Sequence, residues 1–311
     1  MDQLKTRIGI IGTGGVGGYF GGLLADKYYN SDTVDIIFIV RPKTEKIIRE
    51  KGLKLTTPEF EKVIFPIFVS SNPDEIGELD YVICTTKSYQ LEESILPLKK
   101  CITPETIIIP VLNGVDSKGK IESWFPQNEV LFGCVYLVSR QIEPGVILKT
   151  GNMHSFHFGS STAPIHKLSK LESILKEASI ECYLTETIQK TIWQKYMFIS
   201  SIASLTCYLN KSIGEIFENK EWTKMLTNLL QEVHSVAIAN KIDISENIVE
   251  ITLQQMKTLP YESTSSMHSD FQKGNLTEFE SLTEYVSFLG QKLNVKTSTF
   301  DLILTTFKNR I

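Results

Sequence analysis

The chain lacks the features of several classes of protein. Its 311 residues include five cysteines, an odd number, and no Cys-x-x-Cys pair. That pattern argues against a disulfide framework and a zinc site, and it fits a reducing cytosol. The formal net charge is −4, so no overall basic field is present that would hold nucleic acid or an anionic membrane surface.

Long hydrophobic runs are also missing. Residues 1–12 contain no long apolar region followed by a cleavage site, so we expect no secretion signal. The longest apolar-rich run, residues 196–209, is too short to span a bilayer comfortably and is interrupted by serines. We interpret this run as a buried helix and expect a cytoplasmic protein that does not enter a membrane.

What is present is a first half in which short β-like runs alternate with helical patterns. Near-continuous runs of Ile and Val are typical of strands that helices cover on both faces. The alternation predicts βαβ units around a parallel sheet. The predicted strands are 7–12, 35–40, 81–86, 106–112 and 130–138, and the predicted helices are 15–29 and 88–100.

A shorter β-rich section follows, and after it the pattern becomes helical. The section comprises predicted strands at 145–151, 154–159 and 181–186 and a helix at 165–178. Beyond Thr187, apolar residues recur at helical spacing through 188–209, 213–239, 244–258 and 276–292. The sequence therefore predicts an α/β fold with an N-terminal Rossmann-type domain, 1–185, and a mainly α-helical C-terminal domain, 186–311.

A glycine motif lies between the first predicted strand and the first predicted helix. In such a Gly-x-Gly-x-x-Gly context the backbone can approach a dinucleotide pyrophosphate, which the helix N-terminus attracts. The alternative is a glycine-rich turn without a ligand. The spacing of Gly14 with Gly18, and of Gly17 with Gly21, predicts a small-residue helix face. The predicted cofactor-binding residues are Gly12, Thr13, Gly14, Gly15, Val16 and Gly17.

The residue after the second predicted strand selects the cofactor. NAD-binding domains usually carry an acid there, which holds the ribose 2′-hydroxyl. An acid about 4 Å from a 2′-phosphate would cost on the order of 4 kcal/mol at surface-like dielectric, whereas an arginine reverses that sign. Arg41 occupies this position, with Lys43 and Lys46 just beyond. We expect NADP(H) rather than NAD, the alternative being that Arg41 is a solvated loop cation.

Several stretches, taken together, resemble one protein family. They are 12–25, the turn containing Arg41, 85–90, 111–117, 192–198, 213–216, 265–274 and 277–280. In this order and spacing, over nearly the whole chain, they look like the ketopantoate reductase (2-dehydropantoate 2-reductase) family. The resemblance implies an NADPH-dependent reduction of a 2-oxo acid to a 2-hydroxy acid, with ketopantoate as the first candidate, in pantothenate biosynthesis.

The resemblance also implies which residues form the site. The family's catalytic lysine matches Lys195, which would protonate the substrate oxygen, and its catalytic-site glutamate matches Glu278, which would hold the substrate. Asn113 matches an asparagine that contacts nicotinamide and substrate, Lys87 a lysine at their junction, and Ser266 a serine that binds the substrate carboxylate.

Each of these site residues has a plainer alternative. Lys195 could snorkel to solvent from the end of a helix, Glu278 could be an exposed helix acid, and Lys87 could be a surface cation. Asn113 could belong to a bare Asn-Gly turn. Ser265 or Ser266 could simply cap the next helix.

One departure from the family concerns the substrate. The family usually has asparagines one and two helical turns after the catalytic lysine, and this chain has Ile199 and Ala203 there. A substrate oxygen left unpaired would cost about 1–3 kcal/mol. The alternatives are therefore a reductase of a different 2-oxo acid, or a non-catalytic NADP-binding sensor. We expect a small-molecule substrate, no metal, and either a monomer or a homodimer.

Overall fold

The computed structural model describes residues 5–308 and divides into two compact units. The first unit comprises the chain up to Leu112 together with Ser117–Ile188, and the second comprises Asn113–Asp116 together with the chain from Gln189 onward. The short segment Asn113–Asp116 thus joins the helical unit although strand-forming sequence of the first unit precedes it.

The strands all lie in the first unit, and most of the helices longer than ten residues lie in the second. The strands are β1 (Thr6–Ile11), β2 (Val34–Ile39), β3 (Leu53–Thr56), β4 (Glu61–Ile64), β5 (Phe68–Ser70), β6 (Leu79–Cys84), β7 (Ile102–Pro110), β8 (Glu129–Val130), β9 (Phe132–Glu143), β10 (Val146–Gly159) and β11 (Glu181–Leu184). The helices are α1 (Gly15–Lys27), α2 (Pro42–Lys51), α3 (Pro73–Ile76), α4 (Leu91–Ile95), α5 (Ser117–Trp124), α6 (Ile165–Glu177), α7 (Ile188–Leu209), α8 (Ile213–Glu218), α9 (Lys220–Ala239), α10 (Ile248–Lys257), α11 (Ser266–Gln272), α12 (Tyr285–Leu293) and α13 (Ser298–Lys308).

Six strands form a parallel sheet with the order β5-β2-β1-β6-β7-β8. Counted along the sheet's own strands this is the 3-2-1-4-5-6 order of a Rossmann fold, as predicted. The order reverses between β1 and β6, whose last residues Ile11 and Cys84 are partners in register. The loops after β1 and β6 therefore leave the same edge of the sheet, where open α/β sheets bind ligands.

A second sheet covers the other side of α1, and here two predictions were wrong. Residues 130–138 were expected in the parallel sheet, but only Glu129–Val130 joins it, and Phe132–Glu143 pairs antiparallel with β10. The segments 145–151 and 154–159 were expected to be separate strands, and they form one 14-residue strand with register shifts. Apolar runs alone do not distinguish a parallel partner from an antiparallel one.

Helix α1 lies against both sheets, and its glycines make this possible. A Cβ on Gly21 would lie 2.7 Å from the Phe38 ring of the parallel sheet. One on Gly18 would lie 2.6 Å from Ile147 of the second sheet. The predicted Gly17–Gly21 face is present, but the Gly14–Gly18 pairing is wrong, because a Cβ on Gly14 would meet no atom within 4 Å.

Two long predicted helices are divided. The predicted helix 88–100 consists of a 3-10 turn (Ser88–Gln90), α4 and a second 3-10 turn (Leu96–Leu98) that contains a proline. The predicted helix 213–239 is broken at Asn219, whose side chain accepts from two amides at the start of α9. Capping side chains compete with helix continuation, so an apolar period can persist across a break.

The helical unit has its own core. Leu226, Leu229, Leu230 and Val233 of α9 are all fully buried in it, at the i, i+3, i+4, i+7 spacing of one helix face. Residues 196–209 lie in α7 and are mostly buried, as predicted. Across residues 5–308, none of the helices combines the length and apolarity that a membrane span requires.

Candidate active site

The glycine loop is held by a threonine from the neighbouring strand. Gly12 has φ of +91°, a conformation that favours glycine. The Thr85 hydroxyl, just after β6, donates to the carbonyl oxygens of Ile11 at 2.7 Å and Gly12 at 3.0 Å. A Cβ on Gly17 would clash with the Thr85 hydroxyl and the Gly12 carbonyl. The loop therefore has one tight geometry, which brings the start of α1 against β6.

The N-terminus of α1 can receive an anion. No side chain caps this helix, and its first turn carries no acidic residue. The space beside Gly14 contains no protein atom within 4 Å of a built Cβ. Backbone amides and the positive end of the helix dipole are the donors that a pyrophosphate requires. Gly12, Thr13, Gly14, Gly15, Val16 and Gly17 all lie in this loop or the first turn of α1.

Arg41 follows β2 at the N-cap position of α2 and is exposed. Its guanidinium lies 3.8 Å from the Glu93 carboxylate, and both side chains are largely exposed. Exposed pairs of this kind contribute about 0–1 kcal/mol, so a phosphate can displace the carboxylate. Glu93 was not predicted from the sequence, because it lies 52 positions away and carries no motif.

Lys87 lies two residues after Thr85, at the same edge of the sheet as the glycine loop. It is half-buried and directly precedes the 3-10 turn Ser88–Gln90.

In the helical unit, Lys195 and Asn113 meet. The Lys195 ammonium donates to Asn113 Oδ1 at 3.2 Å, and Lys195 is half-buried in the second turn of α7. The two residues are 82 positions apart, so the contact is a tertiary one. A lysine that only snorkelled to solvent would make no such bond.

Glu278 is 3 % exposed, which excludes the exposed helix acid considered as its alternative. It immediately precedes Phe279, which has helical dihedral angles, and a π-helical turn at Glu280–Glu284 that continues into α12. The Glu278 carbonyl accepts from the Leu282 amide at 3.0 Å, so Glu278 lies at the start of this helical run. The positive end of the helix favours a carboxylate there.

The two neighbouring serines have different roles. Ser265 is buried, and its hydroxyl accepts from the His268 amide as the N-cap of α11. Ser266, the predicted substrate contact, is the first residue of α11 and is exposed. The capping alternative therefore applies to Ser265 and leaves the Ser266 hydroxyl available.

Ile199 and Ala203 continue the Lys195 face of α7 at intervals of four residues. Ile199 is half-buried and Ala203 is fully buried. The hydroxyls of Ser200 and Ser201, on other faces of the helix, are buried and have no hydrogen-bond partner among residues 5–308. The helix face next to the lysine is therefore apolar.

Further residues join the site that sequence reasoning did not identify. Asp116 and Ser281 are buried, and the Ser281 hydroxyl donates to Asp116 Oδ2 at 3.1 Å. The Tyr196 hydroxyl donates to the Ser281 carbonyl at 2.9 Å. The signal that could have found Asp116 is an acid three residues after Asn113 in the same loop.

His268 lies in α11, two residues after Ser266, and is buried. Its Nε2 is 2.8 Å from Asn210 Oδ1, which also accepts from Gln272. Since Oδ1 can only accept, the proton is on Nε2, and Nδ1 has no partner in the described chain. Burial lowers the pKa of His268. Asn210 directly follows α7, so this contact connects the end of α7 to α11.

Metal-ligating side chains do not converge in the described part of the chain, where no group of three or more His, Cys, Asp or Glu could hold an ion. His154 and His157 contact different neighbours, namely Tyr19 for the first and Tyr136 and Tyr183 for the second.

Two family models match the chain. The model described as ketopantoate reductase PanE/ApbA matches residues 8–162, and the model for the C-terminal part of the same family matches residues 187–310. Together they cover most of both units.

Individual relatives agree with these matches over nearly full length. The chain is 27 % identical to the uncharacterized oxidoreductase YkpB of Bacillus subtilis over 295 residues, 94 % of this chain and 95 % of that protein. It is 28 % identical to the solved 2-dehydropantoate 2-reductase of Porphyromonas gingivalis, with a TM-score of 0.85 over 98 % and 99 % of the chains. A D-mandelate dehydrogenase solved with NADH and anilino(oxo)acetate has a TM-score of 0.84 at 21 % identity over 96 % of each chain, which shows a shared fold.

The buried neutral imidazole of His268 predicts a pH-dependent stability. Because its pKa is lower in the folded protein than the ordinary 6.5, the unfolded chain binds the proton more readily. The free energy of unfolding should therefore fall as the pH decreases below about 6.5, and the change should be smaller in His268→Gln. Urea unfolding of both proteins at several pH values measures this. The exposed His166→Gln serves as control and should keep the wild-type dependence. Equal pH dependence in wild type and His268→Gln would contradict the assignment.

Proposed function

The chain belongs to the ketopantoate reductase family, and on that premise we propose that it reduces a 2-oxo acid to a 2-hydroxy acid with NADPH. The observation that carries the proposal is the hydrogen bond between Lys195 and Asn113 in the helical unit. It joins a half-buried ammonium, which can protonate a substrate oxygen, to an amide that fixes its position.

The first unit would hold the cofactor. The uncapped start of α1, with Gly12, Thr13, Gly14, Gly15, Val16 and Gly17, suits a pyrophosphate. Arg41 would leave the Glu93 carboxylate and bind the 2′-phosphate instead. Lys87, beside the same loop, would bind toward the nicotinamide end, and we assign Asn113 to nicotinamide and substrate.

The chemistry then needs a proton and a stabilised charge. Reduced nicotinamide, when bound, supplies the hydride that reaches the ketone carbon. Negative charge develops on the ketone oxygen, and the Lys195 ammonium donates a hydrogen bond to it and then a proton. Asn113 Oδ1 accepts from the same ammonium and so orients it. The product is a secondary alcohol, and Lys195 regains its proton from solvent.

Glu278 and Ser266 would hold the substrate. The buried Glu278 carboxylate can accept from a substrate hydroxyl and can help to keep the lysine charged. The exposed Ser266 hydroxyl, with the amides at the start of α11, can donate to the substrate carboxylate. Both assignments follow from the family resemblance, with the burial of Glu278 and the exposure of Ser266 as support.

Ketopantoate is the first candidate substrate, and the apolar face formed by Ile199 and Ala203 favours a second. Such a face would pair poorly with the hydroxyl of ketopantoate, so a 2-oxo acid with an apolar side chain is the alternative. The D-mandelate dehydrogenase of this fold, which was solved with anilino(oxo)acetate, is a precedent for an aromatic ligand.

Removing the Lys195 ammonium should abolish most of the turnover. Lys195→Met keeps the length of the side chain and loses the proton donor, so kcat for the best 2-oxo acid should fall by about 10²- to 10⁴-fold. NADPH binding, measured by fluorescence titration, should persist. Lys190→Met is the control, because Lys190 is also on α7 and is ion-paired to Asp243 at 3.9 Å. Wild-type turnover in Lys195→Met would disprove the mechanism, and NADPH binding without turnover on any ketone in the wild type would establish the sensor alternative.

Arg41 and Glu93 should have opposite effects on cofactor choice. Arg41→Ala removes charge-assisted hydrogen bonds of about 1.5–3 kcal/mol, so the Kd for NADPH should rise roughly 10- to 150-fold while that for NADH changes little. Glu93→Gln removes the competing carboxylate and should lower the Kd for NADPH. Calorimetric titration with both cofactors measures the two effects. A parallel loss of NADPH and NADH binding in Arg41→Ala would contradict the 2′-phosphate assignment.

A substrate panel tests the apolar face. Ile199→Asn supplies a polar partner, so kcat/KM for ketopantoate should rise relative to a 2-oxo acid without its hydroxyl, by about 5- to 150-fold for 1–3 kcal/mol. The control is Ile251→Asn, which changes a 40 % exposed isoleucine on α10. An unchanged ratio in Ile199→Asn would remove this face from the substrate site.

A further inference from the structure

We propose that Asp116, Ser281 and Tyr196 form a positioning network that fixes Asn113, Lys195 and Glu278 relative to one another. The proposal concerns how these three site residues are held, and its catalytic consequence rests on the proposed function. None of the three network residues needs to touch the substrate.

Ser281 is the centre of the network. Its hydroxyl donates to Asp116 Oδ2 at 3.1 Å, and its backbone carbonyl accepts from the Tyr196 hydroxyl at 2.9 Å. Ser281 is 1 % exposed, Tyr196 2 % and Asp116 5 %. Both bonds are therefore shielded from water. A hydrogen bond to a charged group, such as the bond to Asp116, contributes about 1.5–3 kcal/mol.

Each network residue lies within three positions of one predicted site residue in the chain. Tyr196 directly follows Lys195, and Asp116 lies three residues after Asn113. Ser281 lies three residues after Glu278, within the π-helical turn. Single π-helical turns occur often at functional sites. Through these short connections, Ser281 ties together the three backbone segments that carry the site.

The Asn113 segment packs closely on Ser281. Gly114, between Asn113 and Asp116, has φ of +105°. A Cβ there would lie 2.9 Å from Asp116 Oδ1 and 3.3 Å from the Ser281 Cβ. Only glycine suits both this conformation and this approach, so the segment has little freedom to shift without breaking the bond to Ser281.

A buried carboxylate is an expensive way to gain stability alone. Removing its donor leaves a desolvated charge, and buried charges give weak evidence for a stabilising role. Burial, followed by the charge of Asp116, raises the pKa of Tyr196 well above its ordinary value, so its hydroxyl remains a donor.

The test compares two buried hydroxyl bonds, each of which involves a residue of the π-helical turn. Ser281→Ala removes the bond to Asp116, and Ser204→Ala removes a buried 2.7 Å bond between α7 and Thr283 of the π-helical turn. Both variants should lower the Tm by similar amounts. Only Ser281→Ala should lower kcat, by about 10- to 100-fold, because a shift near 1 Å misplaces reacting groups. The Kd for NADPH should not change, and Ser281→Thr, which keeps a hydroxyl, should recover most of kcat.

A structural measurement decides the proposal independently of activity. In a crystal structure of Ser281→Ala we expect the Lys195 Nζ to Asn113 Oδ1 distance to exceed the 3.2 Å of the wild type, or Asn113 to adopt more than one conformation. Asp116→Asn, which keeps an oxygen acceptor, is the milder variant if Ser281→Ala does not fold, and it should lengthen the distance less. An unchanged distance together with the kcat of Ser204→Ala would overturn the network. If the wild type reduces no 2-oxo acid, the proposed function fails, and the distance alone still decides the positioning.

Discussion

The first unit depends on how closely α1 can approach the two sheets that enclose it. The Phe38 side chain on one side and the Ile147 side chain on the other leave no room for a Cβ atom on Gly21 or Gly18 of α1. Larger residues would separate the layers and expose apolar cores on both sides, at about 25 cal/mol for each Å² uncovered. The same approach brings the first turn of α1 against Thr85, whose hydroxyl ties the glycine loop to β6. The packing constraint and the candidate phosphate site are therefore one feature.

The helical unit differs from the first in that several polar side chains are buried in it. Asp116, Ser281, Ser265 and His268 are all buried, and each has at least one hydrogen bond. In a low-dielectric core such hydrogen bonds are strong and favour one arrangement of the groups that they join. Asn113 belongs to this unit although the preceding residue, Leu112, belongs to the first unit. Asn113, the proposed substrate contact, is thus in the same unit as Lys195, to which it is hydrogen-bonded.

The parts that local patterns predicted well are those with one dominant period. β1, β2, β6 and β7 contain apolar runs rich in Ile and Val and lie in the parallel sheet as expected. The prediction placed β9 in the wrong sheet. Its composition does not indicate which strand it pairs with, and in the structure it pairs antiparallel with β10. The break at Asn219 was missed, because the apolar period continues across it while the side chain caps the next helix. Among the site residues, Lys195 and Glu278 came from the family resemblance, and neither periodicity nor charge would have separated them from their neighbours.

The sequence by itself determined the class of the chain, a Rossmann-type parallel sheet with a helical second part, since strand and helix periods and a glycine motif are local properties. It also identified the family, because many short stretches in order and spacing are specific together. Only the tertiary structure decided that Glu278 is buried, that Ser265 and not Ser266 caps α11, and that Arg41 faces Glu93. It alone joined Asp116 to Ser281, 165 positions away. The physical reason is that burial and pairing depend on which distant segments pack together, and a linear pattern carries no distance between them.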